Sequence, residues 1–276
     1  MTAVLPERFL TDMKGIIKKW YYKLGFPEKY EEEFLNLLDG AELTDDIKIS
    51  DIESSTENCP YNLLYSLYFV EDMWRIYKER NIPEKILLDT AYDIVRWTEV
   101  WYDINGKLGL DLMGWISDHL NVKLFKLGRL EFDFDEFSKD YIEHGISKGE
   151  KRIGVHIPAE GPLSPELCDE SFNQAREFFK KYYPEYDYKY FTCYSWLLDE
   201  TLDKYTQETS NITKFRRRFT LIDGYVGDGI LQFVFRWDAR RSNLENFKPS
   251  SKFAELIKDA VLAGEQFHSR LGIIRK

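Results

Sequence analysis

Apolar positions recur every three to four residues at the start of the chain, as Phe9, Met13, Ile16, Ile17, Trp20 and Tyr21, and then stop at Gly25-Phe26-Pro27. The same spacing resumes with Tyr30, Phe34, Leu37 and Leu38, so two amphipathic helices are predicted between Glu7 and about Leu38. Asp39 to Pro60 is polar and acidic and reads as a loop. A third helix follows from Leu63, Leu64, Leu67, Tyr68, Val70, Met73, Trp74 and Tyr77. A fourth begins near Pro83 and carries Ile86, Leu87, Ala91, Ile94, Val95, Trp97 and Val100. The first half is therefore predicted to be all helical.

After Asn121 the period changes to two. Leu124, Lys126, Gly128, Leu130, Phe132 and Phe134 alternate with their neighbours, which predicts a hairpin or a long strand bent at Gly128. Ile153 to Ile157 is a short β run, closed by the loop Ala159 to Leu163. A helix is then predicted from Pro165 to about Tyr183, with Ser164 as its cap and Leu167, Phe172, Ala175, Phe178 and Phe179 on its inner face. Tyr188 to Tyr194 is the next strand, and strand, helix, strand in this order predicts a parallel crossover. A short helix at Leu197 to Tyr205, strands at Phe215 to Ile222 and Ile230 to Trp237, and a last helix from Ser250 to about Leu271 complete the reading. The expected fold class is α+β, with a helical domain over 1–120 and a mixed-sheet domain over 121–276.

Composition supports a packed protein: of 276 residues 43% are hydrophobic and 16% aromatic, enough for a sizeable core. No run reaches the roughly 18 apolar residues a membrane helix needs, and the start has neither a basic nor an apolar leader region, so no membrane and a cytoplasmic location are expected. Cys59, Cys168 and Cys193 are far apart and odd in number, which signals neither a disulfide framework nor a zinc site. The formal charge of −10 is uneven, because residues 1–121 carry 13 Lys and Arg against 23 Asp and Glu, whereas the remainder carries 25 of each. Nucleic acid is thereby excluded as a partner of the acidic half, while the neutral half stays open to an anionic ligand.

Candidate chemistry is sparse. His119, His144, His156 and His268 are scattered with no ligand spacing, so no metal is expected. Ser195 or Cys193 at a strand end, with His156 on the adjacent strand, make a nucleophile and base pair geometrically possible, but the G-x-S-x-G elbow is missing and a Cys in an aromatic strand is more often a small core residue. In Arg216-Arg217-Arg218, alternation would send the middle residue to the opposite face of a strand. The strongest feature is the strand, loop and helix from Ile153 to Tyr183, because a helix N-terminus offers free N–H groups to a phosphate. Pro158, Pro162 and Pro165 each lack that donor, so a structural turn and an anion site are equally compatible with these residues.

Five segments, Asn81 to Thr90, Leu124 to Phe132, Val155 to Leu163, Cys193 to Asp199, and Ser210 to Ile212 with Phe215 and Arg218-Phe219, together resemble bacterial acyltransferase-domain proteins that join a helical N-terminal domain to a GNAT-like C-terminal domain. The resemblance spans nearly the whole chain. It implies acetyl-CoA or another acyl-CoA as co-substrate, held where a strand, a phosphate-cradling loop and a helix meet, and a small-molecule or peptide amine as acceptor. Against the superfamily's loop pattern, Pro158-Ala-Glu-Gly-Pro-Leu163 keeps only Gly161. By the same resemblance Gly161, Leu163 and Ser164 would meet the pyrophosphate and an arginine, Arg216, the adenosine phosphate. His156 is the candidate general base and Tyr205 the candidate acid, while Ser195 and Asn211 are candidate polar residues at the acceptor cleft. A GNAT-like binding module without catalysis, and an acyl hydrolase using Cys193 or Ser195, are the competing expectations.

Overall fold

A computed structural model describes residues 12–52 and 58–276; Phe9, the first residues and the middle of the acidic loop before Pro60 lie outside them. The chain divides into two compact units that meet between Lys126 and Leu127.

The first unit is helical. Helix α1 (Met13–Lys23) starts where the Asp12 carboxylate accepts the Gly15 N–H at 2.9 Å, and the chain turns away at Gly25, whose φ of +72° suits glycine. Helices α2 (Glu31–Gly40), α3 (Cys59–Glu79), α4 (Glu84–Asn105) and α5 (Met113–Leu120) follow. Their apolar stripes close on one another through Ile17, Trp20, Phe34, Leu63, Leu67, Leu87 and Ile94, all inaccessible, and Tyr21 stacks on Phe34 with ring centroids 3.7 Å apart. Asp93 is a buried charge of this unit: it pairs with Arg96, accepts the Trp115 indole N–H at 2.7 Å and lies 3.2 Å from His119 Nε2. Among the described residues no helix is long and apolar enough to cross a membrane.

The second unit carries β2 to β6 of a mixed sheet of order β1-β2-β3-β4-β6-β5, whose first strand ends at the boundary between the units. The sheet's strands are β1 (Leu124–Leu127), β2 (Leu130–Glu136), β3 (Lys151–His156), β4 (Tyr190–Ser195), β5 (Thr220–Val226) and β6 (His268–Arg275). The predicted bend at Gly128 is the turn between β1 and β2, with φ at +73°. Helix α6 (Pro165–Tyr182) is capped by Ser164 as expected, and β3 and β4 on either side of it are parallel. Alternation puts Phe132, Phe134, Ile153 and Phe191 on the face that α6 covers, where Phe132–Phe172, Phe172–Phe191 and Phe134–Phe179 meet edge to face at 5.8, 5.2 and 5.3 Å. Each such pair contributes about 0.5–1.5 kcal/mol beyond the area it buries.

Three elements differ from the sequence reading. Phe215 and Arg216 end a short helix, α7 (Asn211–Arg216), rather than starting a strand, which begins only at Thr220. Gly229–Val234 is helix α8: adjacent Ile230 and Leu231 are both buried in one cluster with Leu202, Leu244, Ile257 and Phe267, which an alternating strand cannot achieve. The final helix, α9 (Lys252–Leu262), ends far earlier than Leu271, because Gly264 adopts φ +94° and stops it, and the rest of the segment becomes β6 between β4 and β5. The short helix after β4 is two 3-10 turns, Trp196–Leu198 and Glu200–Lys204.

The β1–β2 turn is fastened to α6 by one hydroxyl. Ser171 is fully buried, and its Oγ accepts the N–H groups of Arg129 (2.7 Å) and Leu130 (3.2 Å). Ser171→Ala leaves two donors without that acceptor and is expected to cost about 1–3 kcal/mol in urea unfolding. A change below about 0.5 kcal/mol would mean that this hydroxyl does not hold the turn.

Candidate active site

The sheet opens between β3 and β4. β2 pairs antiparallel with β3 from Glu131↔His156 to Glu136↔Lys151, and β4 pairs antiparallel with β6 from Tyr190↔Arg275 to Ser195↔Arg270. Between them, β3 and β4 pair only at Ile153↔Phe191 and Gly154↔Thr192. Val155 and His156 on one side, and Cys193, Tyr194 and Ser195 on the other, continue as strand beyond the last of these pairs, so the two strands part company towards their C-terminal ends. Main-chain N–H and C=O groups along the two facing edges are left for something other than the sheet to satisfy. The opening lies at the carboxyl ends of adjacent parallel strands, where α/β sheets bind ligands.

The two faces of the opening differ. Phe132, Val155, Phe191 and Cys193 point to the side of α6, while Glu131, Asp133, Gly154, His156, Thr192 and Tyr194 share the opposite face. On that polar face, His156 Nε2 lies 3.2 Å from Asp133 Oδ1, with the imidazole about one-third exposed. Asp133 is the register partner of Gly154 and not of His156, and a Cβ at residue 154 would fall 1.9 Å from Asp133 Oδ1. The carboxylate thus leans along the strand over the bare glycine to reach the ring. Asp133 was not among the sequence candidates, although the run Glu131, Asp133, Asp135 at alternate positions already marked one face of β2 as acidic.

The loop between β3 and α6 brings a second group of candidates together. Gly161 has φ +72°, Leu163 is buried, and the Ser164 hydroxyl accepts the Leu167 N–H at 3.4 Å to start the helix. Two arginines brace this loop: Arg129, which was not a site candidate, and Arg218, from the basic run Arg216-Arg217-Arg218. Arg129, from the β1–β2 turn, donates through Nε to the Pro162 carbonyl at 3.0 Å and through Nη2 to that of Gly161 at 3.3 Å. Arg218 donates to the Pro165 carbonyl at 2.9 Å and pairs with Asp169, whose carboxyl its guanidinium holds below the ordinary carboxylate range. Cationic side chains therefore stand where three prolines remove N–H donors. No local signal tied either arginine to this loop, since their proximity to it depends on the tertiary fold.

The remaining candidates are placed as follows. Arg216 ends α7, is buried, and pairs with Asp203 while reaching the Asp199 carbonyl at 3.5 Å. Ser195 ends β4 and its hydroxyl accepts the Leu197 N–H at 3.1 Å. Tyr205 follows the second 3-10 turn, with its ring against Phe267 and its hydroxyl 3.5 Å from Glu265; burial first, and then the Glu265 charge, raise its pKa. Asn211 opens α7, which Ser210 caps. Tyr194 and Tyr225 face each other at 5.3 Å and are both substantially exposed. Cys193 is wholly buried, and desolvation pushes its thiol far above the ordinary range, which removes the thiolate a nucleophile needs.

Residues 124–274 match the family described as the GNAT-like C-terminal domain, and residues 28–122 match the N-acyltransferase N-terminal domain. No curated protein matches. Among solved structures, an acyltransferase in complex with decanoyl-CoA and teicoplanin is 24% identical, with a TM-score of 0.79 over 99% of this chain and 89% of that one. A mutant acyltransferase in complex with octanoyl-CoA is also 24% identical, with a TM-score of 0.78 over 99% and 89%. An acyltransferase in complex with decanoyl-CoA gives 24% and 0.79 over 98% and 89%. At that identity the likeness establishes the fold.

Burial of Cys193 has a direct chemical consequence. Iodoacetamide at about pH 8 is expected to leave Cys193 unmodified in the native protein and to alkylate it in urea, as read by peptide mass spectrometry. Rapid labelling of the native protein at Cys193 would restore it as a nucleophile.

Proposed function

This chain belongs to the family with the GNAT-like C-terminal domain, and from that membership we propose that it is an acyl-CoA-dependent N-acyltransferase that moves a medium-chain acyl group onto an amine. The observation that carries the reading is the parting of β3 and β4 beyond Gly154 and Thr192, with His156 at one lip and the capped N-terminus of α6 directly downstream of it. The loop would meet the pyrophosphate through the N–H groups of Gly161, Leu163 and Ser164, while Arg129 and Arg218 supply the cationic donors that Pro158, Pro162 and Pro165 cannot.

The donor supplies a thioester carbonyl, and the protein's part is to place an amine against it in a dry, oriented cleft. The amine nitrogen bonds to the carbonyl carbon, the carbon–sulfur bond breaks, and the proton of the attacking nitrogen passes to the His156 imidazole. A strand N–H at the open edge steadies the negative oxygen of the intermediate. The thiolate leaves and takes up a proton; Tyr205, kept protonated by burial and Glu265, is the candidate acid. Ser195 and Asn211 remain candidates for the acceptor cleft, and Arg216, buried and paired with Asp203, remains the candidate for the adenosine phosphate.

Acetyl-CoA is the donor implied by the superfamily, but octanoyl- and decanoyl-CoA are the acyl donors named with the solved structures of this fold, and they are the first choice here. The acceptor of the structure named with teicoplanin makes a peptide-borne amine the first acceptor class to try. A second reading, a module that binds acyl-CoA without transferring it, is favoured by the single loop glycine and the three prolines.

Both readings are separated by following free CoA with acetyl-, octanoyl- and decanoyl-CoA against a panel of amines and glycopeptides. Transfer predicts amine-dependent CoA release, fastest with the longer donors, and a loss of about 100-fold or more in kcat for His156→Ala. Donor binding without release on any acceptor would support the silent module, and no binding of any donor would sink both.

A further inference from the structure

The edge strand β5 carries one residue more than β6 opposite it. Thr220 and Leu221 face Ile273 and Gly272, but Leu271 faces Asp223, so Ile222 is the extra residue of a β-bulge. Side chains alternate between the two faces of a strand, and an inserted residue exchanges the faces of everything after it. Without the bulge Tyr225 would oppose His268 and lie on the side of α6. With it, Asp223 opposes Leu271 and Tyr225 opposes Ser269, which puts both on the face that carries His156, Thr192 and Tyr194.

The bulge is pinned on two sides. Gly224 runs so close to β6 that a Cβ there would fall 2.6 Å from Arg270 Cδ and 2.8 Å from the Ser269 carbonyl oxygen. The Asp223 carboxylate accepts the Gly224 N–H at 2.8 Å and the Tyr141 hydroxyl at 3.1 Å, and pairs with Lys139 at 2.6 Å.

Its product is a pair of exposed rings. Strand β6 separates β4 from β5, a span of roughly 10 Å. The rings of Tyr194 and Tyr225 nevertheless meet across it, with centroids 5.3 Å and planes 31° apart, and remain 45% and 61% exposed. Single exposed aromatics are ordinary on a protein surface, but these two are brought together by a re-aimed strand.

Tyr194 also has a defined place at the opening. Of Cys193, Tyr194 and Ser195, which run on past the last β3–β4 pair, it is the residue on the face of His156. Continuing the register of Gly154↔Thr192 by two residues brings His156 level with Tyr194, so the two stand on opposite lips. The loop after β3 leads to the side of α6, and a donor seated on that loop enters from there. The face of the tyrosines is then left for the amine.

We propose that Tyr194 and Tyr225 form the acceptor platform of this site and select an amine carried on a ring, aromatic or sugar, whose flat apolar face lies on theirs. The inference rests on the acyl-transfer reading for the role of the opening, and on the bulge and the ring geometry for the platform. A linear alkylamine has no such face to offer.

The test uses the full-length protein with decanoyl-CoA and three amines: 2-phenylethylamine, glucosamine and hexylamine. Tyr194→Ala and Tyr225→Ala are each expected to raise KM for a ring amine about five- to tenfold, while KM for hexylamine and for decanoyl-CoA stays within about twofold. Tyr194→Phe and Tyr225→Phe keep the rings and are expected to keep KM for that amine within about twofold of wild type. A response with 2-phenylethylamine alone makes the ring aromatic and one with glucosamine alone makes it a sugar; either upholds the platform.

Unchanged KM for both ring amines in the alanine variants, an equal rise for hexylamine, or phenylalanine variants as impaired as the alanine ones would each overturn the proposal. A rise in the donor's KM instead would put the acyl chain on the rings and would also overturn it. Should the wild-type protein release no CoA with any amine, the transfer reading fails by itself. Saturation-transfer NMR with CoA present then decides the platform: ring-amine binding that both alanine variants weaken upholds it, and no ring-amine binding to wild type overturns it.

Discussion

The pairing of β3 with β4 at Ile153↔Phe191 and Gly154↔Thr192 joins the β1–β3 part of the sheet to the part made by β4, β6 and β5, and everything proposed for this protein depends on how soon that pairing stops. A longer parallel ladder would satisfy the main-chain groups of Val155, His156, Cys193 and Tyr194 within the sheet and leave no edge for a ligand. The outer edges of both strands are already occupied, by β2 and by β6. The strands can part without unravelling because they are anchored on both flanks and from one side by α6, whose Phe172 and Phe179 pack on Phe132, Phe191 and Phe134.

Strand alternation then sorts the chemistry. Residues on one parity feed the aromatic core under α6, which is why Cys193 is sealed from solvent, and those on the other parity line a face that carries Asp133, His156 and Thr192. The same crossover sets the first turn of α6 beside the opening, and the β1–β2 turn, held by Ser171, delivers Arg129 to the loop carbonyls. The candidate base, the loop proposed to meet the donor's phosphates and the open edge all follow from one β-α-β unit with a short parallel contact.

Much of this unit was legible in the sequence. The Ser164-Pro165-Glu166 start of α6, the apolar run of β3 and the bend at Gly128 are local signals, and the structure realises each. His156 was a sequence candidate by its chemical type and its place before the loop. Its partner was not, because a diagonal contact over a glycine is a property of register, and register appears only when two strands are paired. Arg129 escaped for the same reason, and Arg218, although part of a basic run visible in the sequence, could not be tied to this loop, being remote in sequence from it. Helix α8 and strand β6 were misread because aromatic composition and helical periodicity were outweighed by tertiary burial in one case and by the Gly264 stop in the other.

The most direct measurement is a crystal structure of the protein with decanoyl-CoA or a thioether analogue of it. The account predicts the pantetheine arm between Val155–His156 and Cys193–Ser195, the pyrophosphate at Gly161 to Ser164 with Arg129 or Arg218 in reach, and the thioester beside the His156 ring. A donor bound elsewhere, or an opening closed by continued pairing of β3 with β4, would contradict it.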